Sequence, residues 1–91
     1  MIEKLKILGH DYSVANNNMG FKSGTVAQCN IASLEIEICN SYPESRQKEG
    51  LIHDVIEALN YHLELKLPHN KISLLGESLY QVLKENPDIL K

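Results

Sequence analysis

Residues 33–39 read Ser-Leu-Glu-Ile-Glu-Ile-Cys, and a few positions later residues 51–59 read Leu-Ile-His-Asp-Val-Ile-Glu-Ala-Leu. The first stretch alternates. Leu34, Ile36 and Ile38 fall on one side of an extended chain and Glu35 and Glu37 on the other, the pattern of a strand with one buried and one wet face. The second stretch repeats with helical period, and Leu51, Ile52, Val55, Ile56, Leu59 and Leu63 make one continuous stripe. Between them, Asn40-Ser41-Tyr42-Pro43 marks a change of period from strand to helix. This switch predicts an α+β fold, with strands in the N-terminal half and helices in the C-terminal half.

Upstream of the switch, Leu5, Ile7 and Leu8 lead to a turn at Gly9-His10-Asp11, and Tyr12 and Val14 follow, which predicts a first hairpin. The polar run from Ala15 to Gly20 reads as a loop, and Thr25 to Ile31 as a further strand unit. Downstream, Pro68 ends the first helix or its linker. A second helix starts near His69 or Asn70, the latter a candidate N-cap, and carries the stripe Ile72, Leu75, Leu79, Val82 and Leu83 until Asn86-Pro87 stops it. The expected architecture is one domain over residues 1–91. A small antiparallel sheet of three to four strands (about 3–39) precedes two α-helices (about 44–66 and 70–86) packed on one face.

The chain has 91 residues, 43% of them hydrophobic, with no Trp and one Phe, so one modest core of Leu, Ile and Val is expected. Net charge is −3 with both signs interspersed. No basic block marks a nucleic-acid footprint, and no apolar run is long enough for a membrane span. The N-terminal residues lack the apolar centre of a signal peptide, so a cytoplasmic protein is expected. Cys29 and Cys39, outside any CxxC pair, are expected to serve as small hydrophobes rather than as ligands or nucleophiles.

His53 and Glu57 stand four apart on the first helix, and so project from one face. An imidazole and a carboxylate in that relation can clamp a divalent metal, with Glu77 of the second helix available as a third ligand and Asp54 as a base or orienting group. On a helical wheel, however, His53 and Glu57 lie roughly 100–140° from the apolar stripe, where an ordinary wet face is the competing reading. His62 lies more than two turns beyond His53, too far along the axis to share its metal. His69 reads better as a polar contact at a helix start, and His10 as a solvated turn residue. Tyr61 and Tyr80 are expected between the helices with wet hydroxyls.

Residues 47–59, Gln-Lys-Glu-Gly-Leu-Ile-His-Asp-Val-Ile-Glu-Ala-Leu, resemble the active helix of the small phage and prophage minigluzincin-like proteins, zinc metallopeptidases whose motif is HExxH. The run from Leu75 to Leu83, with Glu77 followed by Leu79-Tyr80, looks like that family's second helix, and the strands upstream look like its small sheet. Through this resemblance His53 matches the first metal ligand, Asp54 the general-base position, Glu57 the second ligand and Glu77 the third. The chain reads HDxxE where the family reads HExxH. Asp reaches roughly 1.5 Å less far than Glu, and a base so misplaced can lose a factor of about 100 in rate. A set of one histidine and two carboxylates is harder than the family's own, which brings Mn²⁺ or another divalent ion into competition with Zn²⁺.

Three functions compete, the third a metal-binding protein without turnover whose ion is structural. One is a degenerate metallopeptidase-like domain of phage or prophage type, non-catalytic or weakly active, acting as a small interaction or regulatory protein toward a protein or peptide partner, or as a homo-oligomer. The alternative is a divalent-metal-dependent peptidase using His53, Glu57 and Glu77, with an extended peptide added to a sheet edge.

Overall fold

The computed structural model describes residues 3–21 and 24–91. Strands β1 (Lys4–Ile7), β2 (His10–Asn17), β3 (Ala27–Asn30) and β4 (Glu35–Cys39) precede helices α1 (Glu44–His62) and α2 (His69–Glu85). The α+β organisation expected from the change of period is present. The strand order is β1-β2-β4-β3. Two of its three pairings are antiparallel, but β2 and β4 run parallel, with Val14 beside Ile36, so the sheet is mixed and not wholly antiparallel. A single-strand alternation cannot reveal this, because burial on one face reads alike for either direction of the neighbour.

The turn between β1 and β2 is formed by Leu8 and Gly9, with Ile7 paired to His10. Both turn residues have positive φ, 50° and 83°, the requirement of a two-residue type I′ hairpin, whose twist matches that of the strands. His10 therefore begins β2 instead of lying in the turn. Ala15 to Asn17, expected in a loop, extend β2 along β4 up to Cys39.

Facing side chains of one sheet surface form the core. Ile7, Tyr12, Val14, Ile36 and Ile38 are buried, and Leu51, Val55, Ala58 and Leu59 of α1 meet them. The pairing explains the choice: Val14, Ile36 and Cys29 stand in one cross-strand row, and Ile38 and Ala27 in the next. Gly50 lets β3 approach α1 closely, since a Cβ there would lie 3.1 Å from Ala27 Cβ.

Only α1 lies on the sheet. Among the described residues α2 packs against α1 and touches no strand, so the expected pair of helices on one sheet face is instead a stack of sheet, α1 and α2. The contact with α1 is made close by Gly76, where an added Cβ would sit 3.3 Å from His53 Cα. Ile72 and Gly76 are the buried residues of α2.

The link between the helices sets where α2 begins. Leu65 N–H donates to Asn60 O (3.0 Å) and Glu64 N–H to Tyr61 O (3.2 Å), while Glu64 has φ 52°. This is a Schellman closure with glutamate at the left-handed position usually given to glycine. The Asn60 side chain then holds the incoming chain: Leu67 N–H donates to its Oδ1 (2.9 Å) and its Nδ2 donates to Leu67 O (3.4 Å). Pro68, not Asn70, precedes the first turn of α2, and Lys71 N–H donates to Pro68 O at 3.0 Å.

Candidate metal centre

On α1, positions 53, 54 and 57 sit on the flank between the sheet and α2, a place a helical wheel with a single apolar stripe assigns to solvent. Because α1 is covered on two sides, its polar residues at these positions are enclosed. The His53 and Glu57 side chains keep 23% and 31% of their exposure, and Asp54 keeps 1%. The wet-face reading does not hold for these three residues.

His53 Nε2 lies 3.3 Å from Glu57 Oε1. His69, the first residue of α2, brings its Nδ1 to 3.5 Å from the same oxygen. The His53 and His69 rings are edge to face with centroids 5.2 Å apart, and one ligand atom from each of His53, Glu57 and His69 lies within 4.8 Å of the others. Two ligands at ~2.05 Å from a tetrahedral Zn²⁺ stand ~3.4 Å apart, close to the 3.3 Å and 3.5 Å separations from Glu57.

Glu77, expected as the third ligand, lines the α2 wall of the same cleft, and the group whose ligand atoms lie within 4.8 Å of one another is His53, Glu57 and His69. The reason is the start of α2. Asn60 and the Schellman link seat residue 69 beside Glu57, one helix end against the middle of another. The spacing of His69 from His53 carried no periodic signal, since an interhelical loop separates them. The positioning role of Asn60 was likewise invisible: its sequence position marks it as one more polar residue of the α1 flank.

Asp54 is a buried polar residue of the core region, and its Oδ2 has no hydrogen-bond partner among the described residues. Burial pushes its carboxyl up to about 8, and the nearby Glu57 carboxylate adds to the rise. The cleft it adjoins holds about 230 Å³ and runs between β3, α1 and the first turns of α2. Cys29 faces the neighbouring part of this cleft. Burial, reinforced by Asp54 and Glu57, pushes its thiol up to about 12, which makes it a neutral packing group at ordinary pH. Cys39 is buried, with its Sγ 3.0 Å from Ser41 Oγ, a contact that holds its thiol below the ordinary value.

The remaining histidines form a separate cluster at the other end of α1. His62 Nε2 is 2.7 Å from the hydroxyl of the fully buried Tyr12, and its ring stacks on His10 at 4.2 Å. Tyr61 lies edge-on to His62 and is 62% exposed, so it sits outside the helix–helix contact expected for it.

The donor set could hold a divalent cation on three grounds: two imidazoles and one carboxylate, two separations of 3.3 and 3.5 Å, and a buried unpartnered carboxyl oxygen one residue from His53. No helix among the described residues is long and apolar enough to cross a membrane. No protein-family model matches the chain, and neither a curated protein nor a solved structure matches it.

Proposed function

We propose that this chain is a divalent-metal-binding domain of metallopeptidase-like type, with His53, Glu57 and His69 as the ligands and Zn²⁺ as the preferred ion. The convergence of those three ligand atoms from two helices is the observation that supports it. Two imidazoles and one carboxylate form a softer set than one imidazole and two carboxylates, which moves the preference from Mn²⁺ toward Zn²⁺. A bound cation would supply Lewis acidity and a water of lowered pKa.

The residues of this chain favour binding over turnover. His53 and His69 offer nitrogen lone pairs only as neutral imidazoles, and Glu57 lies within 3.3 Å of the His53 ring nitrogen and 3.5 Å of that of His69. Asp54, in the position the resemblance gives to the general base, has a short side chain and is closed off by the core. Burial pushes its carboxyl up to about 8, so at neutral pH it carries the proton that a base would need to have released. The β3 strand is an edge of the sheet beside the cleft, and an extended peptide can add to it through backbone hydrogen bonds. The reading is therefore a metal-bearing, peptide-docking domain of interaction or regulatory type, of phage or prophage kind, with little or no hydrolysis.

A second reading, a metal-dependent peptidase, draws on the same ligands, because three protein ligands leave a fourth position for water. Titration calorimetry with Zn²⁺ and Mn²⁺ on chelator-treated protein, with a peptide-library digest alongside, separates the two. Tight Zn²⁺ binding without cleavage supports the first reading, and cleavage abolished by Glu57→Ala supports the second. A protein that neither binds Zn²⁺ nor gains thermal stability from it would defeat both.

A further inference from the structure

The α2 helix presents a second apolar face that the metal centre does not use. Leu75, Leu79 and Val82 are 48%, 43% and 44% exposed, and Leu74 beside them 56%. Their spacing of four and then three residues is that of a coiled-coil seam. By helical geometry this seam lies roughly a quarter-turn from the Ile72–Gly76 face that packs on α1. It lies on the far side of the helix from His69, Ser73 and Glu77, which line the cleft. Covering the seam leaves the cleft open.

The charges at its ends select the occupant. Lys71 flanks one end of the seam and Glu85 the other, and neither belongs to an ion pair among the described residues. Two copies of α2 laid antiparallel about a two-fold axis near Ser78–Leu79 set Leu75 of each against Val82 of the other. The same operation brings Leu79 to the axis and Lys71 of each copy near Glu85 of the other. A parallel pair would instead place lysine on lysine and glutamate on glutamate. The face is thus self-complementary in the order of its apolar residues and in charge, as a two-fold contact requires.

We infer that α2 is a homodimerisation surface, pairing antiparallel with a second copy of this chain through Leu75, Leu79 and Val82. One exposed helix face with its flanks falls at the low end of specific interfaces, below ~1,200 Å² in total, so a reversible, concentration-dependent association is expected. This inference stands apart from the metal reading, since no ligand takes part in it.

Sedimentation velocity across a concentration series, in EDTA, tests it. Wild type should pass from monomer to dimer, and Leu79→Glu should remain monomeric while keeping its circular dichroism spectrum. Lys71→Glu should weaken association about tenfold, and adding Glu85→Lys to Lys71→Glu should restore it. A wild-type chain that stays monomeric at high concentration overturns the proposal. So does a dimer indifferent to Leu79→Glu, or a charge reversal that the compensating change fails to rescue.

Discussion

The Nδ1 atom of His69, at the first residue of α2, lies 3.5 Å from Oε1 of Glu57 in the second half of α1. This contact joins two helices at the cleft and makes His69, rather than Glu77, the partner of the His53–Glu57 pair. Removing a first ligand should therefore separate the two candidates. His69→Ala is expected to lower Zn²⁺ affinity by about 100-fold or more, whereas Glu77→Ala should change it by less than about threefold. Competition with a chromophoric chelator measures both. Equal losses would return Glu77 to the ligand set.

Asp54 carries a pH dependence of known sign. Its folded carboxyl titrates near 8, raised by burial, against an ordinary value of 3.8. Between these values the folded state holds a proton that the unfolded chain has released, so stability from this group is full below about pH 4 and is lost as pH rises toward 8. The slope approaches about 1.4 kcal/mol per pH unit for one proton. Asp54→Asn should flatten the dependence of urea midpoints between pH 5 and 8 in the presence of EDTA. An unchanged slope would mean that Asp54 is not the titrating group.

Gly76 sets the distance between the helices. A side chain there meets the backbone of His53 at 3.3–3.6 Å, and backbone yields less readily than a flexible side chain. Gly76→Val is expected to cost about 1–3 kcal/mol through overpacking and to weaken Zn²⁺ binding by moving His69 from Glu57. Thermal melts and metal titration of the same sample report the two effects. Loss of stability with unchanged affinity would show that the α1–α2 spacing does not govern the site.

Glu64 occupies a left-handed conformation, φ 52°, at the close of α1. Glutamate there carries a penalty of about 1 kcal/mol that glycine avoids. Glu64→Gly should raise stability by about 0.5–1 kcal/mol, measured by chemical denaturation, with Zn²⁺ affinity retained because the hydrogen bonds of the link stay in place. A destabilised variant would contradict the assignment of this closure.

The elements themselves were legible in the chain. The alternation of Ile36 and Ile38 with Glu35 and Glu37 marked β4, and the stripe through Leu51, Val55 and Leu59 marked the side of α1 that meets the sheet, because period alone decides which residues share a face. The His53–Glu57 pair was legible for the same reason, both residues lying on one helix four positions apart.

What tertiary structure alone decided is everything that depends on two elements meeting. Sequence period cannot tell that β2 and β4 run parallel, or that α2 rests on α1 and leaves the sheet untouched. Nor can it tell that a histidine beyond a loop comes to lie beside the His53–Glu57 pair. The burial of Asp54 belongs to the same group, since a polar residue on the flank of one amphipathic stripe becomes enclosed only when a second helix covers that flank. Local periodicity is written in neighbours along the chain, whereas the centre is built by contacts between segments that a turn such as Leu63–Leu67 brings into register.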